Sequence, residues 1–282
     1  MPLHPGLLFS AADDSAGVSR RGALECRGRD LMMLEIVAAS DVGLARSNNE
    51  DIAVVGRTFI RDGVFSAIES VDNGSAMVLG VADGVGGSNA GEIASRYVIE
   101  QLAQCVNTLD NQLDEEQLEQ ALRRACLDAH NALLRKGIMN PRYEGMATTA
   151  TVLFHYQGRW YVAHAGDSRF YLGSGNHFHR LSRDHTLREF SGDPRIPGNI
   201  LVNCFGSQDE FFIDFFRVAV QSSPGDLFLI CSDGLSDMVD DAVIWDVLST
   251  SGDLTSAGQE LVESAKAGGG RDNITFVAAR IQ

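Results

Sequence analysis

The sequence predicts a layered α+β domain in which helices pack outside antiparallel sheets. The chain has 282 residues, which is enough to bury a large core. Its hydrophobic pattern follows the order strands, two helices, strands, two helices and a last strand. Neither a repeat nor an interior linker divides this succession, so we expect one domain.

The N-terminal segment differs in composition from the rest of the chain. Residues 1–31 show no clear periodicity and are rich in Ser, Gly, Ala, Asp and Arg. This composition is typical of a flexible leader, and we place the folded domain at 32–282. Since Met32 and Met33 stand at the junction, we hypothesise that the native start lies there, which the intact mass of the native protein would test.

Short apolar runs predict the strands of the first half, and helical spacing predicts two helices. The strands are expected at 34–40, 52–55 and 76–82, with an uneven segment at 57–75, and the first helix at 88–109. The second helix starts at Asp114, which can cap it while Gln117 reaches back. Leu113 and Leu118 occupy the hydrophobic-staple positions around this start.

The second half returns to strand patterns. Turn residues separate four runs that predict an antiparallel meander, at 148–156, 159–165, 169–172 and 178–181. Residues 192–206 contain prolines and glycines and are expected to form a loop or lid. The remaining elements are strands at 211–220 and 227–231, helices at 242–250 and 256–267, and a closing strand at 273–281.

Composition limits the expected partners and compartment. The net charge of -15 repels nucleic acid and anionic lipid. The five cysteines are scattered and form no C-x-x-C pair, which is typical of a reducing compartment. No apolar run is long enough to span a bilayer. We therefore expect a cytoplasmic protein that binds neither nucleic acid nor membrane.

Four aspartates stand at the ends of apolar strands. Asp51 and Asp272 each precede a strand. Asp83 and Asp233 each follow a strand and are themselves followed by glycine, which lets a carbonyl or a water approach closely. A charge at the tip of a buried strand is costly unless it is solvated, paired or bound to metal. One such aspartate is ordinarily a turn or cap residue, but four indicate a cluster.

The cluster predicts a metal site, because ligands that are all oxygen favour hard cations such as Mg²⁺ or Mn²⁺. Converging carboxylates can hold two ions about 3.5–4 Å apart and lower the pKa of a bridging water, which becomes the nucleophile. Such a site suits hydrolysis of a phosphate ester.

Competing motifs lack essential residues. The glycine-rich stretch 84–91 lacks the third glycine of a dinucleotide loop, and Glu92 stands where a P-loop needs lysine. His177, His179 and His185 have no regular ligand spacing, so we expect surface or hydrogen-bonded histidines.

Seven short motifs resemble, in the same order, those of the PPM-type phosphatases. This is the protein phosphatase 2C family of metal-dependent serine/threonine phosphatases, and its bacterial branch is the most similar. The resemblance runs from about residue 34 to the C-terminus. Each motif is weak alone, but together they are highly specific. The motifs are Arg46-Ser47-Asn48-Asn49-Glu50-Asp51, Val81-Ala82-Asp83-Gly84-Val85-Gly86-Gly87, Met146-Ala147-Thr148-Thr149-Ala150, Ala165-Gly166-Asp167-Ser168-Arg169, Ser182-Arg183-Asp184-His185-Thr186, Cys231-Ser232-Asp233-Gly234-Leu235 and Arg271-Asp272-Asn273-Ile274.

The resemblance implies a four-layer α-β-β-α sandwich, with two central antiparallel sheets flanked by helix pairs. It also implies a protein-serine/threonine phosphatase that uses two Mn²⁺ or Mg²⁺ ions, with the third ion that family members carry. Two alternatives stay open. One is a catalytically inactive binding module of the same fold, and the other is a metal-dependent hydrolase of a small phosphate ester.

The metal ligands that the resemblance implies are Asp51, Asp83, Gly84, Asp167, Asp233 and Asp272. Asp83 would bridge two metals, and the Gly84 carbonyl would also bind. The remaining aspartates would hold the second metal, except Asp167, which would share a weaker third metal with Asp233.

The resemblance also separates catalytic from supporting residues. Asp83 is expected to be catalytic through its metals, and Arg46 would sit at the substrate phosphate, where a guanidinium can pair with the oxygens. Arg169 is expected to be structural, and Thr148 and Thr149 to line the sheet near the site.

This sequence departs from the family pattern in three places. Val85 stands where eukaryotic members often have a histidine proposed as general acid, and Ser88 replaces a histidine of many bacterial members. The segment after His185 is shorter than usual, with Asn199-Ile200-Leu201 in place of a longer flap. The flap governs substrate access, so the resemblance does not identify the substrate.

The expected partners follow from the implied activity. They are phosphorylated protein substrates and a cognate bacterial serine/threonine kinase whose action this enzyme reverses. A compressed flap also occurs in phosphatases encoded with bacterial secretion systems, which adds a forkhead-associated scaffold to the expected partners. The protein is expected to be a monomer.

Overall fold

The computed structural model of the chain describes residues 31–74, 76–85, 90–220 and 222–282. Apart from Leu31, the predicted leader therefore lies outside the described residues. Within them, the strands are β1 (Met32–Asp41), β2 (Ile52–Val55), β3 (Thr58–Ile60), β4 (Gly63–Val71), β5 (Met77–Ala82), β6 (Gly84–Val85), β7 (Ala147–Thr148), β8 (Ala150–Tyr156), β9 (Arg159–Ala165), β10 (Arg169–Ser174), β11 (His177–Arg180), β12 (Asp214–Arg217), β13 (Leu227–Cys231) and β14 (Ile274–Ile281). The helices are α1 (Ala90–Asn107), α2 (Glu115–Met139), α3 (Leu187–Ser191), α4 (Asp233–Ser236), α5 (Asp241–Thr250) and α6 (Leu254–Ala267), and a 3-10 turn spans Pro141–Tyr143.

The strands pair into two antiparallel sheets of six strands each. The first sheet has the order β11-β10-β13-β14-β1-β4, and the second has the order β12-β9-β8-β5-β2-β3. Strands β6 and β7 form a separate short pair beside the second sheet. Among the described helices, none combines the length and apolar character that crossing a bilayer requires.

Three apolar cores join four layers. Helices α1 and α2 pack on the outer face of the second sheet, where Leu102 and Leu122 are buried. The two sheets face each other through a second core, in which the Trp160 and Phe228 rings lie 4.9 Å apart. Helices α5 and α6 cover the first sheet through residues such as Leu261. The predicted α-β-β-α sandwich is therefore confirmed.

The start of α2 matches its prediction in detail. Asp114 accepts a hydrogen bond from the Gln117 backbone at 2.8 Å, and the Gln117 side chain accepts one from the Asp114 backbone at 3.1 Å. Such a cap contributes about 1 kcal/mol, and it ends the preceding loop at a defined residue.

The segment 57–75 was expected to be uneven, but it contains β3 and β4. Strand β4 lies at the edge of the first sheet and leaves most of its side chains exposed. Its sequence therefore lacks the alternation of a half-buried strand. The pairing with β1, in which Ile36 lies opposite Ala67, holds it in the sheet.

The meander predicted across 148–181 is wrong as a single sheet. Strands β8 and β9 pair in the second sheet, whereas β10 and β11 pair in the first. The chain crosses between the sheets at 166–168, where Gly166 has a φ of 117°. Local periodicity predicts strands but does not say which sheet each one joins, and this crossover carries Asp167 to the space between the sheet ends.

A buried histidine stands beside this crossover. The ring nitrogens of His164 contact Thr151 Oγ1 at 2.8 Å and the Arg183 carbonyl oxygen at 2.9 Å. Burial lowers the pKa of His164 to about 4, and the neighbouring His185 acts in the same direction. The imidazole therefore stays neutral in the folded protein at pH values where the unfolded chain would protonate it.

Acid is expected to weaken the fold through His164. When the pKa of a histidine is lower in the folded than in the unfolded protein, its contribution to stability is complete above the unfolded pKa. This contribution is lost as the pH falls from the unfolded pKa toward the folded pKa. Between about pH 7.5 and pH 5, this group should cost about 2 kcal/mol of the free energy of unfolding. Urea denaturation at both pH values should show the stability gap between wild type and His164→Gln narrowing by that amount. A gap that does not change with pH would contradict this, and exposed His177→Gln is the control.

Candidate active site

A cavity of about 520 Å³ opens where the strand ends of the two sheets meet. Most of the predicted site residues line it, namely Arg46, Asp83, Gly84, Asp167, Asp233 and Asp272. The residues Glu50, Val85, Asn199 and Leu201 also line it. The structure thus brings together side chains that lie far apart in the sequence.

Asp83 lies between β5 and β6, and the chain around it is held by two threonines. The Asp83 carbonyl oxygen accepts hydrogen bonds from the Thr149 backbone at 2.9 Å and from Thr148 Oγ1 at 2.8 Å. The Asp83 backbone donates to Thr149 Oγ1 at 3.1 Å. These hydrogen bonds satisfy the backbone N–H and carbonyl of Asp83, and its side chain lines the cavity.

The two Asp-Gly pairs need glycine because backbone groups approach it closely. A Cβ on Gly84 would lie 2.4 Å from the Gly91 carbonyl oxygen and 2.6 Å from that of Glu50. A Cβ on Gly234 would lie 1.9 Å from the Asn273 carbonyl oxygen. Both glycines therefore let separate segments converge beside Asp83 and Asp233, as the sequence pattern suggested.

Asp51 lies behind the cavity wall and not on its surface. Its side chain accepts a hydrogen bond from Ser232 Oγ at 2.8 Å, and the residue is 1% exposed. Burial raises the pKa of Asp51 to about 8, and the charge of Asp233 adds to this rise. Because Ser232 directly precedes Asp233, this bond ties the start of β2 to the start of α4 across the two sheets.

Asp233 has a carboxylate oxygen that lacks a partner. Its Oδ1 atom is buried and makes no hydrogen bond within the described part of the chain. Burial is the main cause that raises the pKa of Asp233 to about 6, and repulsion from Asp272 and Asp237 adds to this rise. A buried acceptor without a donor is costly, and a cation would satisfy it.

Asp167 is positioned by His185. The Gly166 backbone donates to His185 Nδ1 at 3.2 Å, and the His185 backbone donates to the Gly166 carbonyl at 2.8 Å. His185 Nδ1 also contacts Asn203 Nδ2 at 2.8 Å, and Nε2 contacts Asp214 at 3.1 Å. His185 is therefore a buried, hydrogen-bonded histidine, the second of the two roles expected from the sequence. Burial raises the pKa of Asp167 to about 8.

Arg46 forms an ion pair with Asp272 at the mouth of the cavity. Arg46 Nη2 donates to Asp272 Oδ2 at 2.6 Å, and the Asn273 backbone donates to Asp272 Oδ1 at 2.9 Å. The hydrogen bond that Arg46 donates to Asp272 raises the pKa of Arg46. The guanidinium side chain is 56% exposed, so it can reach a ligand from this position.

Arg169 lies beside the catalytic cavity, where it lines an adjoining pocket with Asp167 and Asp233, and it pairs with Asp184. Its Nη2 atom donates to Asp184 Oδ2 at 2.9 Å, and the same carboxylate accepts from Arg180 at 3.1 Å. The structural role expected for Arg169 agrees with this geometry.

Asn273 is a supporting residue that the sequence argument missed. Its Nδ2 atom donates to the Val42 and Asn48 carbonyls, both at 3.0 Å, and its Oδ1 accepts from the Glu50 backbone at 2.8 Å. The side chain thereby fixes the loop that carries Arg46 and Asp51 to the start of β14. Its only sequence signal is the Asp-Asn pair before the closing strand.

The carboxylates fit a hard cation by their chemistry. Burial raises the pKa of Asp83 well above its usual range, and repulsion from Asp51 and Asp233 adds to this. Their donors are all oxygen, the ligand type that Mg²⁺ and Mn²⁺ prefer, and the unpartnered Asp233 Oδ1 lies among them. Within the described ranges, no three His, Cys, Asp or Glu side chains already meet around one point as a ready single-ion site. The carboxylates are spread around the cavity instead.

The four-layer sandwich with carboxylates at its strand ends is the architecture of a metal-dependent phosphatase. The protein phosphatase 2C family model matches residues 58–267. The chain belongs to this family.

Three relatives are similar over most of the chain. Protein phosphatase PhpP of Streptococcus pneumoniae is 32% identical over 254 residues, which is 86% of this chain and 95% of PhpP. The serine/threonine protein phosphatase PstP of Mycobacterium tuberculosis is 32% identical over 90% of this chain and 46% of PstP. The PstP catalytic domain solved with two manganese ions has a TM-score of 0.69 at 30% identity, covering 89% of this chain and 99% of that one. The solved structure of PppA, a key regulatory component of T6SS in Pseudomonas aeruginosa, has a TM-score of 0.71 at 26% identity and covers 88% of this chain and 98% of that one.

Proposed function

We propose that this protein hydrolyses phosphoserine and phosphothreonine in proteins. The observation that carries the proposal is the group of buried and half-buried carboxylates around one cavity with Arg46 at its mouth. A cavity so rich in carboxylate repels a phosphate unless cations neutralise it. The names of PhpP and PstP, both phosphatases, support the same activity.

The proposed ligands are the aspartates of the cavity and the one behind it. Asp83 and the Gly84 carbonyl would hold two Mn²⁺ or Mg²⁺ ions, and the second ion would also be held by Asp51, Asp233 and Asp272. Asp167 would share a third ion with Asp233. When bound, such ions would neutralise the phosphate and lower the pKa of a water.

Arg46 is proposed to bind the substrate phosphate. Its guanidinium lies at the cavity and is held by Asp272, and Arg binds phosphate oxygens through two parallel hydrogen bonds. Val85 lines the cavity at the position where eukaryotic members often have a histidine, and no histidine stands among the described lining residues. The leaving group must therefore take its proton from another source.

The proposed cellular role is reversal of a bacterial serine/threonine kinase, in the cytoplasm and as a monomer. The described cysteines Cys105, Cys126, Cys204 and Cys231 are free thiols, which suits a reducing compartment. The resemblance to PppA supports a link to a secretion system. A forkhead-associated scaffold is the partner that we propose together with this link.

The proposal predicts hydrolysis of p-nitrophenyl phosphate and of phosphothreonine peptides that requires Mn²⁺ and is abolished by EDTA. Phosphopeptides, sugar phosphates and nucleotides should be compared at equal concentration, and the peptides should be preferred. Preference for a small ester would replace this proposal by the hydrolase alternative. Absence of Mn²⁺ binding in calorimetry would favour an inactive binding module.

A further inference from the structure

An exposed apolar surface lies beside the catalytic cavity. Its members are Leu187, Phe190, Ile200 and Phe212, with exposures of 40%, 47%, 40% and 36%. We call these four residues the flap platform, since all but Phe212 belong to the segment 186–203. Large apolar side chains grouped in the open beside an active site indicate a surface that binds something.

Backbone and ring contacts hold the platform residues in place. The Leu187 backbone donates to the Ile200 carbonyl at 2.8 Å, which sets these two residues side by side. Phe190 follows Leu187 by three residues on α3 and lies 6.2 Å from Phe212, ring centre to ring centre. The buried His185 ring supports both aromatic rings from below, at 6.1 Å from Phe190 and 4.7 Å from Phe212.

The platform begins at the rim of the cavity. Asn199 and Leu201 line the cavity and stand on either side of Ile200. Leu201 also forms a bridge with Thr186, which joins the rim to the start of α3. A polypeptide whose phosphorylated residue enters the cavity and which leaves across this rim would therefore pass directly over the platform.

The size of the platform and the charges around it indicate what kind of ligand it binds. Four side chains cover far less than the roughly 1,200 Å² that a stable protein interface needs, so the surface suits a short segment and not a second copy. Arg183 lies 4.4 Å over the Phe190 ring and faces Glu189 at 3.7 Å. Glu189 therefore compensates the charge of Arg183, and the exposed rings favour an apolar side chain over a charged one.

We propose that the flap platform binds an apolar side chain that neighbours the phosphorylated residue in the substrate protein. This inference rests on the proposed phosphoprotein activity and adds a sequence preference to it. One apolar group in a partly open site gives discrimination on the order of 10-fold. The preference comes from the segment 186–203, because Asn199 and Leu201 at the cavity rim flank Ile200 of the platform.

The test compares phosphothreonine peptides that differ in one position. Leucine or serine is placed at each of the three positions on either side of the phosphothreonine, and kcat/KM is measured with the Mn²⁺-loaded enzyme. At one position or more, leucine should be preferred about 10-fold. In Phe190→Ser and, independently, in Ile200→Ser, that preference should fall to about 2-fold or less. The ratio to p-nitrophenyl phosphate hydrolysis corrects each variant for its content of active enzyme.

A matched control comes from α5. Val243 is 45% exposed, similar to the platform residues, and lies outside the flap, so Val243→Ser should keep the wild-type preference. Equal kcat/KM for all peptides, or an unchanged preference in both platform variants, would overturn the platform and leave the phosphatase activity standing. Hydrolysis of p-nitrophenyl phosphate without hydrolysis of any peptide would instead reject the phosphoprotein activity, and the platform with it.

Discussion

An Asp233→Asn variant is expected to lose more than about 100-fold of its Mn²⁺-dependent hydrolysis of p-nitrophenyl phosphate. Changing residues that only support a metal ligand already costs 10–100-fold in affinity or activity. Asp233 is proposed as a ligand itself, and its buried Oδ1 has no other partner in the described structure. Initial rates across an Mn²⁺ titration would separate weaker binding of the ion from a lower rate at saturation.

The same variant should be more stable than wild type in EDTA. Burial and the neighbouring carboxylates Asp272 and Asp237 raise the pKa of Asp233 to about 6. The stabilising contribution of such a carboxyl is complete at low pH and is lost as the pH rises through its folded pKa. At neutral pH the ionised group therefore opposes folding, and a neutral asparagine should raise Tm by about 2–4 °C, the shift that about 1 kcal/mol produces.

Asp246→Asn is the matched control for both measurements. This substitution makes the same chemical change at an exposed position of α5, so activity and Tm should stay at the wild-type values. Full activity of Asp233→Asn would reject Asp233 as a metal ligand. Reduced activity without a higher Tm in EDTA would mean that the carboxylates do not repel one another in the folded state.

The sequence predicted the parts of the fold that local signals determine. The capping box at Asp114 and the strands Ile52–Val55 and Leu227–Cys231 stand where they were expected, because each depends on neighbours within a few residues. Strand β4 was missed because its pairing with β1 holds it in the sheet, while its own side chains are mostly exposed. The division of four strands between two sheets was missed because local periodicity does not say which sheet a strand joins.

The residues of the candidate site likewise fall into those that a local sequence pattern reveals and those that act through distant contacts. Asp83 and Asp233 were found because an Asp-Gly pair follows an apolar strand within two residues, which is a local pattern. The role of Ser232 was not found, since its partner Asp51 lies 181 residues away. His185 and Asn273 likewise act through contacts that only the folded chain creates. Sequence reasoning thus finds the groups that face a ligand more readily than the groups that position them.

An Asn273→Ala variant is expected to lower the free energy of unfolding by about 3 kcal/mol, at about 1 kcal/mol for each of three hydrogen bonds. The side chain joins the Val42 and Asn48 carbonyls and the Glu50 backbone to the start of β14. Its removal also frees the loop that carries Arg46 and Asp51, so hydrolysis should fall even where the protein is fully folded. Urea denaturation and initial rates at a temperature well below Tm measure the two effects.

The two effects of Asn273→Ala distinguish positioning from general stability. Asn176 is exposed in the turn between β10 and β11, so Asn176→Ala should change neither quantity. His164→Gln removes buried hydrogen bonds outside the catalytic cavity and should lower stability with a smaller loss of rate. If Asn273→Ala and His164→Gln lost equal activity for equal loss of stability, Asn273 would merely stabilise the fold. A larger loss of rate in Asn273→Ala would mean that this one amide holds Arg46 and Asp51 in the geometry that hydrolysis requires.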